Sequence, residues 1–179
     1  TALFCFLGLF GNLCSQNEDL GRSEMKLLGQ FQSIIDQPYD EIRQQLNYEF
    51  IPSLVEALRT PGSFDYPFDA LESISKIYPP DSSFRVLTWL IPMGDKEMKQ
   101  HGMPSTQIVD NHTYRYFGAI QMNSDSLVLF PLIDRSRDLP FPEDTIVDKS
   151  HWYGCLYYNI AEKEFNGNKF YSLFGWDGN

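Results

Sequence analysis

Between Asp19 and Arg59 apolar residues return every three or four positions. Leu20, Leu27, Leu28, Phe31, Ile34 and Ile35 form one run, and Ile42, Leu46, Phe50, Leu54 and Leu58 a second. This period places the side chains on one face of a helix. Asp36-Gln37-Pro38 divides the region into two helices, because Pro38 suits a first turn, where its missing N–H is not needed. Pro52 lies inside the second run, and a kink or break is expected there. Pro61-Gly62 ends that helix. A third short helix is predicted over Asp69–Tyr78, with Phe68, Leu71, Ile74 and Tyr78 on one face, stopped by Pro79-Pro80.

After Ser82 the period becomes two, the spacing of strand side chains. Phe84–Ile91, Tyr114–Met122, Leu127–Ile133, Trp152–Ile160 and Lys169–Trp176 read as strands. Asn-Ser-Asp-Ser joins the second and third of these as a hairpin, and the last two pair around "EKEFNGN". Pro92–His112 is a long polar loop and Asp134–Lys149 a Pro-rich acidic one. In Trp152–Ile160, simple alternation sends Trp152, Leu156, Tyr158 and Ile160 one way and Tyr153, Cys155 and Tyr157 the other.

Helices first and strands afterwards indicate an α+β domain, with N-terminal helices packed on a C-terminal, mostly antiparallel, aromatic-rich β-sheet. No internal repeat or interdomain linker interrupts it, so residues 17–179 read as one domain, large enough for a sizeable core.

Both ends change this picture. Ala2–Leu13 is apolar or small apart from Asn12, and charge appears abruptly at Glu18 and Asp19. Such a run is too short to span a bilayer and has the form of a secretory leader, here partial, over residues 1–16. The competing reading is a buried N-terminal helix. Cys14 raises lipidation as an alternative, although Gly11 and Leu13 fit that pattern poorly. Asp177-Gly178 has the chemistry of a hairpin turn, so truncation before a further strand is expected.

The formal charge is −10, and residues 1–16 carry none of it. Without a Lys/Arg cluster, binding to nucleic acid or anionic membrane surfaces is not expected. Beyond the leader only Cys155 remains, which leaves no internal disulfide.

Candidate chemistry is sparse. His151 and Cys155, four residues apart on one strand, lie roughly 13 Å apart, too far for a nucleophile–base pair. His101 and His112 are other imidazoles in range of the thiol by chain length alone. Asp110, Asn111 and His112, and Asp134 with Asp138, lack the spacing of known metal motifs, so no metal and no cofactor is expected. The aromatics Trp89, Trp152, Tyr153, Tyr157, Tyr158 and Trp176 lie on or beside predicted strands. They are candidates for a stacking platform, against the reading that they fill the core.

The run "YRYFGAIQM…LVLFPLIDRS…HWYGCLYYNI…FYSLFGWDGN", over Tyr114–Asn179, resembles a group of uncharacterised exported proteins of Bacteroidota, and "NLCSQ" before an acidic start is similar to their export signals. The resemblance implies the periplasm or cell surface as location and carries no catalytic residue. The expected function is a non-catalytic binding or structural component of the envelope, with a glycan or an envelope protein as partner. The rival is a hydrolase of envelope or polymeric material using carboxylates of Asp134–Lys149 with His112 or His151.

Overall fold

The computed structural model describes residues 4–94, 114–139, 146 and 148–178, without the side chains of 4–15 and 137. The long loop predicted at Pro92–His112, with His101, Asp110, Asn111 and His112, lies almost entirely outside the described residues, as does much of 140–147.

Two helices open the chain, α1 (Phe4–Asp36) and α2 (Asp40–Arg59). Leu20, Leu27, Phe31 and Ile34 of α1 are buried at helical spacing. Among the described residues no helix is long and apolar enough to cross a membrane. Asp40 and Glu41 occupy the first turn of α2 and Arg59 its last, each sign matched to the helix dipole. Pro52 does not break α2. It sits on the exposed side, where the Tyr48 carbonyl left without a helical donor is within reach of water.

The buried stripe of α2 is rotated from the predicted one. It runs through Arg43, Asn47, Phe50, Leu54, Ala57 and Leu58, and Ile42 is exposed. Two polar residues lie on this stripe because each has a partner. Asn47 accepts the Trp89 indole N–H at 2.9 Å. Arg43 bonds to Asp40 and to the Gly94 carbonyl.

Asp69–Tyr78 is not a helix. Phe68 has φ +51, and successive turns close from Leu71 N–H to Phe68 O and from Ile74 N–H to Leu71 O. Phe68, Leu71 and Ile74 are all buried, so the three-residue spacing reflects a chain of turns. Strand β1 (Ser75–Ile77) follows.

Strands β2 (Phe84–Pro92), β3 (Tyr114–Met122) and β4 (Leu129–Leu132) complete an antiparallel sheet of order β1-β2-β3-β4. A 3₁₀ turn at Ser136–Asp138 follows, and β5 (Leu156–Phe165) pairs with β6 (Asn168–Trp176) as a separate antiparallel hairpin. The architecture is α+β, helices first and antiparallel sheet after. The edge strands β1 and β4 are short, and β4 carries Pro131 opposite Ala119.

The sheet is buried on both faces. Leu87, Trp89 and Ile91 join the helices in the main core. On the other face, Tyr116, Trp152 and Cys155 form a second core with Leu90, Leu132 and Tyr157 against it. The β5–β6 hairpin lies over this face. Tyr157 N–H donates to Thr88 Oγ1 at 3.1 Å, Ser75 donates to the Tyr157 carbonyl, and Tyr171 meets Phe84 edge-on at 4.9 Å.

Arg85 anchors the turns to the sheet and is fully buried. Nε donates to Gln121 at 2.8 Å, Nη1 to the Tyr66 carbonyl and Tyr78 hydroxyl, and Nη2 to the Ser63 carbonyl. Phe64 and Phe68 present their rings to the guanidinium at 5.7 and 5.4 Å. Burial lowers its pKa, while the Tyr78 hydrogen bond holds the charge in place.

Candidate functional site

The outer face of the β5–β6 hairpin carries the aromatics left in solvent. Asn166 and Gly167 turn the chain with φ +52 and +73. These are the two positive angles a type I′ turn requires, and Asn-Gly supplies them without strain. Lys169, Tyr171, Leu173 and Gly175 then face the sheet, while Phe170, Ser172 and Phe174 face away, and Trp176 at the end of the row stays half-exposed while leaning on Tyr114 of β3. Phe165 joins this outer row from β5, diagonal to Phe170.

Phe165, Phe170, Phe174 and Trp176 are 62%, 54%, 46% and 45% exposed. From Phe170 to Trp176 the row extends roughly 20 Å at strand spacing. Asn159, Ala161 and Lys163 stand opposite Phe174, Ser172 and Phe170, so Lys163 contributes the one charge of this paired row. Trp176 meets Tyr114 at 6.0 Å where the hairpin reaches β3.

The six aromatics singled out from the sequence separate. Trp89 is core: it bonds Asn47, meets Phe50 edge-on and stacks on Phe117, with ring centroids 5.8 Å away in both contacts. Trp152 is also buried and donates to the Tyr157 hydroxyl at 2.9 Å. Tyr153 is half-buried and donates to Asp177 Oδ2 at 2.9 Å. Tyr157 packs inward against the second core. Tyr158 and Trp176 alone among the six are exposed.

The alternation expected across Trp152–Ile160 fails because β5 begins only at Leu156 and carries a bulge between Tyr157 and Asn159. The extra residue brings Tyr157, opposite Gly175, and Ile160, opposite Leu173, onto the same inward face. Phe165, Phe170 and Phe174 are surface residues outside the predicted set, and the signal for the two on β6 is the alternation of "KFYSLFGW" counted from a turn at Asn166-Gly167.

The groups considered for catalysis have other occupations. Cys155 is buried under Gly175, and burial pushes its thiol up to about 11, with Tyr157 opposing. It is therefore protonated at neutral pH and a poor nucleophile. Exposed His151 Nδ1 lies 3.1 Å from Ser150 Oγ and 3.2 Å from Asp148 Oδ1. A relay needs those partners on different ring nitrogens, so this is a local turn cluster. Ser150 and His151 hold the Asp148 carboxyl down at about 2. Asp134 accepts from Tyr116 N–H, Ser136 N–H and Ser136 Oγ, and its backbone bridges to Trp152. Among the described residues no three His, Cys, Asp or Glu side chains gather as metal ligands do.

A concavity lies on the helix face: a groove of about 590 Å³ beside α2, lined by residues of α2, β3 and β4. Its wall includes Tyr48, Ile51 and Val55, and its floor includes Phe117, Ala119 and Leu129. Arg115, Asp134, Arg135, Ser136 and Asp138 supply its polar lining.

No protein-family model, curated protein or solved structure matches the chain.

Proposed function

We propose that the protein is an exported, non-catalytic binding component of a bacterial envelope that holds a neutral glycan on the outer face of its β5–β6 hairpin. One observation carries this reading: four aromatic side chains stand in a row on a strand pair whose opposite face is tied to the sheet. Aromatic faces attract the C–H surfaces of sugar rings, and Asn159, Ser172 and Lys163 offer hydrogen-bonding groups to hydroxyls beside them. A chain of charge −10 repels polyanions, which favours an uncharged polymer over nucleic acid or an anionic lipid surface. The apolar stretch Ala2–Leu13 and the resemblance to exported proteins of Bacteroidota support a periplasmic or surface location.

Affinity electrophoresis through gels containing neutral polysaccharides tests the reading. The expected result is retardation of the wild-type protein by at least one polymer and its loss in Phe174→Ala and Trp176→Ala. Migration unchanged by every polymer, with a protein partner captured through the same row, would replace the glycan by an envelope protein. Retardation that survives both substitutions would remove the row from the site.

A further inference from the structure

We infer that the groove beside α2 is a second, separate binding site, for an amphipathic monoanion: a carboxylate on a medium-length acyl chain. The groove has a polar end and an apolar end, and the fold fixes which is which. At the start of α2, Gln44 Oε1 accepts from Arg115 Nη1 at 2.6 Å, at the start of β3. At the far end, Ser63 Oγ donates to the Leu58 carbonyl at 2.6 Å and accepts from Gln121 Nε2 at 3.5 Å. Helix and strand therefore run in the same sense, with Arg115 at one end and Leu58 and Leu129 at the other.

The charges at the polar end are unequally committed. Asp138 pairs with Arg135 at 3.3 Å. Asp134 is filled by the Tyr116 and Ser136 donors, and Ser136 Oγ also accepts from Gly154 N–H at 2.7 Å. Arg115 is half-buried, and its partner Gln44 is neutral; among the described residues it forms no ion pair. A guanidinium in this position has donors left for a carboxylate, the acceptor its fork fits best.

The apolar end suits a tail. Tyr48 to Leu58 spans roughly 15 Å of helix, which sets the length of chain the groove can cover. Its volume falls in the range of small-molecule sites, which bind through an apolar lining and a few polar groups. The site shares no residue with the hairpin row, so either can fail without the other.

Titration calorimetry of the full chain with dodecanoate, below its micelle concentration, tests the assignment. Saturable one-to-one binding is expected, tightening about fourfold per methylene from octanoate to dodecanoate. Dodecanol shares the tail without the charge. Arg115→Gln is expected to weaken dodecanoate at least tenfold and to leave dodecanol within twofold, with an unchanged melting temperature. Ile133→Glu, at the exposed rim, is expected to weaken both. No saturable binding of dodecanoate, or equal loss of both ligands in Arg115→Gln, would overturn the proposal.

Discussion

Trp89 donates its indole N–H to Asn47 Oδ1 at 2.9 Å inside the apolar layer between α2 and β2. The bond explains why a polar residue occupies the buried stripe of a helix. A buried donor without an acceptor costs about 1–3 kcal/mol. Asn47→Ala is therefore expected to lower stability by about 2 kcal/mol, measured by urea unfolding. Loss below about 0.5 kcal/mol would show that the indole finds water or another acceptor.

Arg85 makes a sharper case. Its removal leaves the Ser63 and Tyr66 carbonyls and Gln121 Oε1 without their donor in a dry interior. Arg85→Met is expected to cost about 3 kcal/mol or more. Arg85→Lys should fail to restore it, since an ammonium cannot reproduce the fork. Limited proteolysis supplies a local readout: cleavage should appear first in 60–74, the turns this side chain ties down.

Gly175 and Cys155 are too close for another carbon. A Cβ on Gly175 would come 2.5 Å from Cys155 Sγ. Gly175→Ala is expected to destabilise by about 1–3 kcal/mol through overpacking. Cys155→Ala in the same chain should recover part of that loss, so a double-mutant cycle reads the clash directly. Strict additivity would place the strain elsewhere.

Alkaline pH should loosen the hairpin side of the molecule. Burial raises Cys155 from its ordinary 9.0 to about 11 and Tyr157 from 10.0 to about 12. Above those ordinary values the unfolded chain releases protons that the folded chain still holds. Stability is therefore fully present below pH 9 and declines from there toward pH 12. Cys155→Ala should flatten the first part of this decline. In the native state at pH 8 the thiol should react with a disulfide reagent far more slowly than in denaturant.

Much of this fold is legible along the chain. β2 and β3 follow from strand-spaced apolar and aromatic residues bounded by polar segments, and α1 and α2 from a steady helical period. What failed to show depends on distant partners. The α2 stripe passes through Arg43 and Asn47 because Gly94 and Trp89 receive them, which a hydropathy period cannot register. The turns at Phe68–Ile74 copy one side of a helical pattern while a positive φ at Phe68 closes off the helix. In the candidate site, Trp176 and Tyr158 were legible as aromatics on strands. Their separation from the other four is not, because it depends on distant partners: the helices bury Trp89, the second core takes Trp152, Asp177 holds Tyr153, and one extra residue in β5 turns Tyr157 inward.

Pro131 has a consequence for solubility. Among the described residues β4 has no second neighbour, and a bare strand edge recruits other chains into fibrils. A proline there removes one donor from the exposed rail, and four residues are too few to template a long run. Pro131→Val would supply the missing N–H and a strand-favouring side chain together, leaving the monomer's stability nearly unchanged while shortening its life in concentrated solution.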